Sequence, residues 1–162
     1  MIFLATLVIM VKIVSVEVMV FPASNCDFSV SVLPHQVYGF NNPHFPGTYT
    51  AGVTCRWIFD CPEYTCRVQC RDVGLPKTQG CFMDRLLVSI TGNLFFEGAE
   101  VFCGRTSINT TSIGTRITIG LMSRAMSPGG RFRCTVRTEP FQHPWAKFAH
   151  SPNEIISDEK RR

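Results

Sequence analysis

Short runs of alternating hydrophobic and polar residues recur along the middle of the chain. In the clearest run, 131–137, phenylalanine, cysteine and valine alternate with arginines and a threonine. In another, Cys66, Val68 and Cys70 occupy one face and polar residues the other. A period of two is typical of a β-strand with one buried and one solvated face. The runs that predict strands are 30–33, 56–59, 65–73, 86–90, 116–121 and 131–137.

Glycine and proline separate these runs, and no window between them has a convincing helical period. A segment rich in glycine, asparagine and proline, 39–47, predicts a loop before Tyr49. Many short strands with turn residues between them are typical of antiparallel sandwiches and barrels. We therefore predict an all-β, antiparallel β-sandwich over residues 24–138.

The two ends of the chain differ from this middle part. Residues 1–20 are almost wholly apolar, but Lys12 and Glu17 leave a clean run of only 2–11, which has the length of a signal-peptide core and not of a membrane span. We predict a signal peptide over 1–20, ending between 15 and 24, and a secreted chain without a membrane span. Residues 139–162 are polar and contain three prolines, so we expect a flexible tail.

Eight cysteines follow the predicted signal peptide. An even number in an exported chain indicates disulfides, because the extracellular compartment is oxidising. The alternative is a metal site, but zinc sites use closer cysteine pairs, and no histidine stands beside these cysteines. We predict disulfides and no metal. The cysteines are Cys26, Cys55, Cys61, Cys66, Cys70, Cys81, Cys103 and Cys134.

The net charge of +4 is mild, and the basic residues are scattered. A nucleic-acid-binding protein concentrates them on one stripe or tail, so we expect no nucleic-acid partner. The second half of the domain is nevertheless rich in arginine, which is common at interfaces. The alternative is an ordinary solvated strand surface. These arginines are Arg105, Arg116, Arg124, Arg131, Arg133 and Arg137.

Candidate chemistry beyond the cysteines is sparse. The four histidines, His35, His44, His143 and His150, fall in loops or in the tail, and no serine motif of a hydrolase is present. Nucleophilic catalysis needs a base beside the nucleophile, so we predict neither enzymatic activity nor a cofactor. Asn109 opens an Asn-x-Thr sequence, a candidate glycosylation site in an exported chain.

Six short motifs, in order over 26–136, resemble those of CUB domains, which are secreted β-sandwich interaction modules. The resemblance implies a CUB-like jelly-roll sandwich that binds other molecules. The runs 84–89 and 129–136 resemble CUB domains of arthropods, which stand alone in venom and saliva or precede a trypsin-like protease domain. The motifs are the opening Cys26, the loop 42–49, the cysteine–tryptophan strand 55–58, the step from Cys81 through Asp84 to Leu86, the segment 101–104, and the closing Gly130-Arg131-Phe132.

The resemblance also implies two disulfides, Cys26–Cys55 and Cys81–Cys103. The other four cysteines are assigned from their places in the predicted strands. Cys70 and Cys134 both occupy apolar-facing positions and could meet inside the sandwich, which leaves Cys61 and Cys66 to close a short turn. A Cys61–Cys70 bond is the alternative that would overturn this assignment.

Many CUB domains bind calcium through a glutamate and two aspartates. This chain keeps Asp84, but Pro76 stands where the glutamate is expected and Arg124 where the second aspartate is expected. Ca²⁺ needs six to eight oxygen ligands, several of them charged. We therefore predict no calcium site, and interpret Asp84 as a turn residue that accepts backbone hydrogen bonds.

These inferences predict a free-standing, secreted and non-catalytic CUB protein, a venom or salivary component that binds an extracellular protein or glycan. The alternative is the truncated regulatory module of a protein in which a CUB domain precedes a trypsin-like serine protease domain.

Overall fold

The computed structural model of the protein describes residues 26–141, which form two packed β-sheets. This part of the chain contains nine strands and one short 3-10 helix, Gln79–Cys81. The strands are β1 (Cys26–Ser31), β2 (Val37–Asn41), β3 (Thr54–Asp60), β4 (Thr65–Gly74), β5 (Asp84–Ser89), β6 (Glu100–Phe102), β7 (Arg105–Thr111), β8 (Arg116–Ser123) and β9 (Arg131–Glu139).

The strands divide into a five-stranded sheet, in the order β1-β3-β8-β5-β6, and a four-stranded sheet, in the order β2-β9-β4-β7. The predicted all-β sandwich is confirmed. Strand β1 runs parallel to β3, whereas the other pairs are antiparallel. Alternation along a strand does not report the direction of its neighbour, so the parallel pair could not be predicted from it.

The core lies between the two sheets and is built from the inward faces of the alternating strands. In β9, Phe132, Cys134 and Val136 are buried and the residues between them are exposed, as the pattern predicts. From the opposite sheet, Trp57 meets Phe132 edge to face, with 5.5 Å between ring centroids. Full burial of such a side chain contributes about 1.5–3 kcal/mol to folding.

Some predicted element boundaries are wrong. The expected loop over 39–47 begins later, because its first three residues belong to β2, which pairs with β9 and buries Phe40. The first strand is 26–31 and not 30–33. Strands β6 and β7 were not predicted, since β6 has no buried residue and β7 has one, Ile108. Strands at sheet edges bury too few side chains to give a clear alternating pattern.

The predicted signal peptide, 1–20, lies outside the described residues, as does the predicted tail from residue 142 onward. Glu139 was assigned to that tail but is the last residue of β9, where its carboxylate pairs with Arg67 and Arg137. Between residues 26 and 141, no helix has both the length and the apolar character to cross a bilayer.

Candidate functional site

A loop at one end of the sandwich, 42–49, is held in place by the buried side chain of Asn42. Its Nδ2 donates hydrogen bonds to the carbonyl oxygens of Pro43, at 2.7 Å, and Gly47, at 3.0 Å. Its Oδ1 accepts one from the backbone N–H of Phe132 at 2.9 Å. One side chain therefore fixes both the shape of the loop and its attachment to β9. The loop ends on Tyr49, which is buried.

The hydroxyl of Tyr49 contacts Asp84, the first residue of β5, which is fully buried. Asp84 Oδ2 accepts a hydrogen bond from Tyr49 Oη at 2.7 Å and a short one from Ser127 Oγ. Among the described residues its Oδ1 has no hydrogen-bond partner. We call these three residues the Asp84 cluster. The expectation that Asp84 accepts backbone hydrogen bonds in a turn is wrong, because the residue lies in a strand and side-chain hydroxyls are its donors.

Ser127 was missed in the sequence, although it organises the loop that closes the cluster. Its Oγ also accepts a hydrogen bond from the backbone N–H of Gly129 at 2.9 Å. Gly129 has a φ of +80°, and a Cβ there would collide with the carbonyl oxygen of Tyr49. Only glycine suits this position. A serine in a loop carries no spacing signal that connects it to a carboxylate 43 residues away.

Tyr49 remains a hydrogen-bond donor in the folded protein. Burial, the hydrogen bond to Asp84 and the charge of that carboxylate together raise the pKa of Tyr49. Each of these effects disfavours a second negative charge beside Asp84. The phenol therefore stays protonated and stabilises the buried carboxylate.

The Asp84 cluster does not supply the ligands that a calcium ion needs. Within residues 26–141, no group of three histidine, cysteine, aspartate or glutamate side chains is placed to hold a metal. In the lone carboxylate of the cluster, Oδ2 accepts both hydroxyl hydrogen bonds, which leaves only Oδ1 without a partner. Ca²⁺ requires more oxygen ligands and more negative charge than this. The residues present do not fit a calcium ion, and we derive no function through one.

A cation is exposed near the same end of the sandwich. Arg124 follows β8 directly, and its guanidinium carbon lies 5.6 Å from the ring centroid of Phe82. Its backbone N–H donates to the carbonyl oxygen of Met83, next to Asp84. Arg124 therefore presents a positive charge to solvent at the position where the resemblance would place an aspartate.

The structure brings the eight cysteines together in four disulfides, and they are the four pairs anticipated from the sequence. Cys70 and Cys134 lie directly opposite each other in β4 and β9, with 4.1 Å between Cα atoms. Cys61 and Cys66 bridge the turn before β4, so the alternative Cys61–Cys70 bond is not formed. The pairs are Cys26–Cys55, Cys61–Cys66, Cys70–Cys134 and Cys81–Cys103.

A shallow groove of about 530 Å³ opens beside the Asp84 cluster. Its lining includes the loop segments 46–48 and 128–130, Asp72 and Gly74 at the end of β4, and Arg105 and Arg131. A Cβ built on Gly130 would lie 2.6 Å from the carbonyl oxygen of Gly74 and 2.9 Å from Tyr49 Oη. The loop wall of the groove therefore rests directly on the cluster.

The six arginines singled out in the sequence do not form one patch. Arg116 lies in the five-stranded sheet and is paired with Asp60 at 2.6 Å, and Arg124 lies at the loop end. The other four are exposed and project from the outer face of the four-stranded sheet; they are Arg105, Arg131, Arg133 and Arg137.

Asn109 is exposed in β7, which is an edge strand. Its Oδ1 accepts hydrogen bonds from Arg67 Nε at 3.0 Å and Gln69 Nε2 at 3.4 Å. These bonds do not use the Nδ2 atom to which a glycan would be attached. Of the four histidines, His35 and His44 are exposed in loops, and the other two lie outside the described residues.

Comparison with known proteins identifies the fold. No family model matches the chain. Over 64 residues, or 40% of the chain, the sequence is 27% identical to cubilin of Sus scrofa, of which the match covers 2%. The chain thus corresponds to a small part of this relative.

Among solved structures, the extracellular region of zebrafish Gpr126/Adgrg6 matches with a TM-score of 0.60 and 22% identity, over 70% of this chain and 15% of that one. The CUB1-EGF-CUB2 domains of rat MASP-1 match with a TM-score of 0.59 and 17% identity, over 74% and 45% of the two chains. The MASP-1 CUB2 domain bound to Ca²⁺ matches with a TM-score of 0.53 and 18% identity, over 70% and 98%. The described residues therefore have the fold of a CUB domain.

Proposed function

We propose that this chain, which has the fold of a CUB domain, is a secreted, non-catalytic protein that binds an extracellular protein or glycan without calcium. The observation that carries the proposal is the Asp84 cluster. There the one carboxylate retained from the expected calcium set is buried and hydrogen-bonded to Tyr49 and Ser127. Because its hydrogen bonds join the two loops that contain Tyr49 and Ser127, the Asp84 carboxylate stabilises this end of the sandwich. The exposed residues of these loops are then available to contact a partner.

Secretion is supported by the four disulfides and by the apolar segment over 1–20. Disulfides form and persist in oxidising compartments. The proposal extends to a venom or salivary component, and the support for this is the likeness of the runs 84–89 and 129–136 to arthropod CUB domains. The absence of catalysis is proposed because the two described histidines, His35 and His44, are exposed in loops and the sequence has no serine motif of a hydrolase.

The test is capture from host plasma or haemolymph with the purified, disulfide-bonded protein, performed in parallel with Ca²⁺ and with a chelator. We expect a partner to be retained equally under both conditions. We also expect the melting temperature of the protein to be the same with and without Ca²⁺, because no ion contributes to the folded state.

Four results would contradict the proposal. Loss of the partner in the chelator, or a large rise in melting temperature with Ca²⁺, would mean that the protein uses an ion. Proteolysis by the pure sample would mean that it is an enzyme. Failure to retain any extracellular protein or glycan would mean that binding is not its function.

A further inference from the structure

The outer face of the four-stranded sheet is strongly cationic. Its strands β2, β9, β4 and β7 contain six arginines and two acids, Asp72 and Glu139. Alternation and register place most of these side chains on the solvent side, since the residues between them are buried. The arginines are Arg67, Arg71, Arg105, Arg131, Arg133 and Arg137.

The charge is unevenly compensated along this face. At the end far from the loops, Arg67 and Arg137 lie opposite each other in β4 and β9, and both pair with Glu139, at 3.2 Å and 3.0 Å. At the loop end, Arg105 and Arg131 enter none of the ion pairs found in residues 26–141. Three arginines at the loop end, Arg105, Arg131 and Arg133, are accompanied by one acid, Asp72, which also lines the groove, whereas Arg67 and Arg137 at the far end share Glu139. The excess of positive charge is therefore larger at the loop end of the sheet.

The sheet register gives this end a defined shape. Gly74 of β4 pairs with Arg131 on one side and with Arg105 on the other. Two strand spacings separate the two arginine Cα atoms by about 10 Å. Because Gly74 has no side chain, the space between the arginines is open, and it continues into the groove of about 530 Å³. The next row toward the centre adds Arg133, opposite Asp72.

The centre of the face is polar. Gly39, Thr135, Gln69 and Asn109 follow one another across the four strands. Protein partners usually place aromatic and apolar anchors at the centre of an interface, and this row offers none. A groove flanked by unpaired guanidinium groups instead suits a ligand with repeated negative charges. The planar guanidinium fork matches oxyanions such as sulfate through paired hydrogen bonds.

We infer that the loop end of the outer face of the four-stranded sheet binds a sulfated polysaccharide, with Arg105 and Arg131 on either side of Gly74 as its main contacts. This inference rests on the proposed function, because it names the class of glycan and the surface that the binding protein uses. Sulfated polysaccharides are the polyanions that an extracellular protein meets in abundance. Neither the Asp84 cluster nor any ion takes part in the contact; the cluster only positions the loop wall of the groove.

The experiment measures binding of the purified protein to immobilised heparin, used as a sulfated probe, and to the same polymer after desulfation. The test variants are Gly74→Glu, which places a carboxylate between the two arginines, and the double variant Arg105→Gln with Arg131→Gln. The binding control is Arg137→Gln, which removes an arginine already paired with Glu139. Gly74→Ala, whose Cβ would meet the nearest atom at an ordinary 3.8 Å, serves only as the stability reference for Gly74→Glu.

We expect the wild type to bind the sulfated probe and to lose at least about tenfold in affinity in each test variant, because charge-assisted hydrogen bonds are lost or opposed. Arg137→Gln should stay within about twofold of the wild type. The slope of log affinity against log salt concentration should fall by about two in the double variant, since two counterion-releasing contacts are removed. Equal melting temperatures for Gly74→Glu and Gly74→Ala show that the fold is retained.

Other outcomes overturn the inference. These are no binding to the sulfated probe, equal binding to the desulfated polymer, an equal loss in Arg137→Gln, or stronger retention on polyglutamate or duplex DNA. If the wild type captures a partner from plasma or haemolymph but fails on heparin, only this inference is wrong. If it captures nothing in either assay, the proposed function is wrong as well.

Discussion

The buried carboxylate of Asp84 depends on neutral hydrogen-bond donors, since none of the ion pairs among residues 26–141 includes it. Placing an ionised group in the interior is costly unless its oxygens are hydrogen-bonded. Tyr49 and Ser127 supply two such bonds to one oxygen. At the scale of single residues, this cluster is therefore the most sensitive point of the loop end.

Tyr49→Phe tests this point. The substitution keeps the ring but removes one hydrogen bond to a buried acceptor, so we expect the free energy of unfolding to fall by about 1–3 kcal/mol. Denaturant unfolding with intact disulfides measures it. Tyr38→Phe is the matched control, because Tyr38 is 41% exposed, and should change stability little. Equal effects of the two substitutions would contradict the assigned role of Tyr49.

Tyr49 also makes the stability of the folded protein depend on pH, and the direction of the change can be stated. Because the pKa of Tyr49 is raised in the folded state, its contribution to stability is complete below the ordinary tyrosine pKa of about 10. Above that pH, the unfolded chain ionises this tyrosine and the folded chain does not, so stability falls. The absorbance of tyrosinate, recorded during a brief exposure to alkaline pH, measures this effect. It should show that Tyr49 ionises only as the protein unfolds. In Tyr49→Phe the absorbance step that accompanies unfolding should be smaller.

The elements of the sandwich are connected by disulfides that close chain segments of very different length. The Cys70–Cys134 bond joins neighbouring central strands, β4 and β9, 64 residues apart in sequence. The Cys61–Cys66 bond closes a turn across five. The longer loop restricts the unfolded chain more, so the two bonds differ in how much they stabilise the fold.

We expect removal of Cys70–Cys134, by paired replacement with alanine, to cost about 4 kcal/mol of unfolding free energy. Removal of Cys61–Cys66 in the same way should cost about 2 kcal/mol, because fewer residues separate its ends. Denaturant unfolding of the two double variants measures the difference. Peptide mapping without reduction should recover the four pairs, and a Cys61–Cys70 peptide would contradict the assignment.

At the scale of elements, the strands that bury the most residues are also the ones with the clearest alternating pattern in the sequence. Strands β4, β8 and β9 bury most inward positions, and each was anticipated from its alternation. Strands β2, β6 and β7 are edge or short strands with at most one buried residue, and their sequences lack that alternation. Hydrophobic periodicity reports burial, so a strand held mainly by backbone hydrogen bonds at an edge leaves no such pattern.

At the scale of the whole molecule, we propose that the protein is exported, forms its four disulfides and is N-glycosylated at Asn109. Expression of the full chain in secretory eukaryotic cells tests it by intact mass. We expect the chain in the medium to begin between residues 16 and 25, to carry four disulfides, and to bear an N-linked glycan that Asn109→Gln removes. Retention inside the cells would contradict export. An unchanged mass in Asn109→Gln would contradict glycosylation at that site only.

The sequence by itself determined the all-β class and the CUB resemblance, because these depend on residue types at fixed spacings. The resemblance implied two of the disulfides, and positions in the predicted strands suggested the other two, with a Cys61–Cys70 bond as the open alternative. Only the tertiary structure decided which side chains meet across long separations: Tyr49 and Ser127 on Asp84, Glu139 between Arg67 and Arg137, and Gly74 between two unpaired arginines. Such contacts arise from the order of the strands in each sheet. The alternation along a strand tells which of its faces is buried, but not which strand, distant in the sequence, lies beside it.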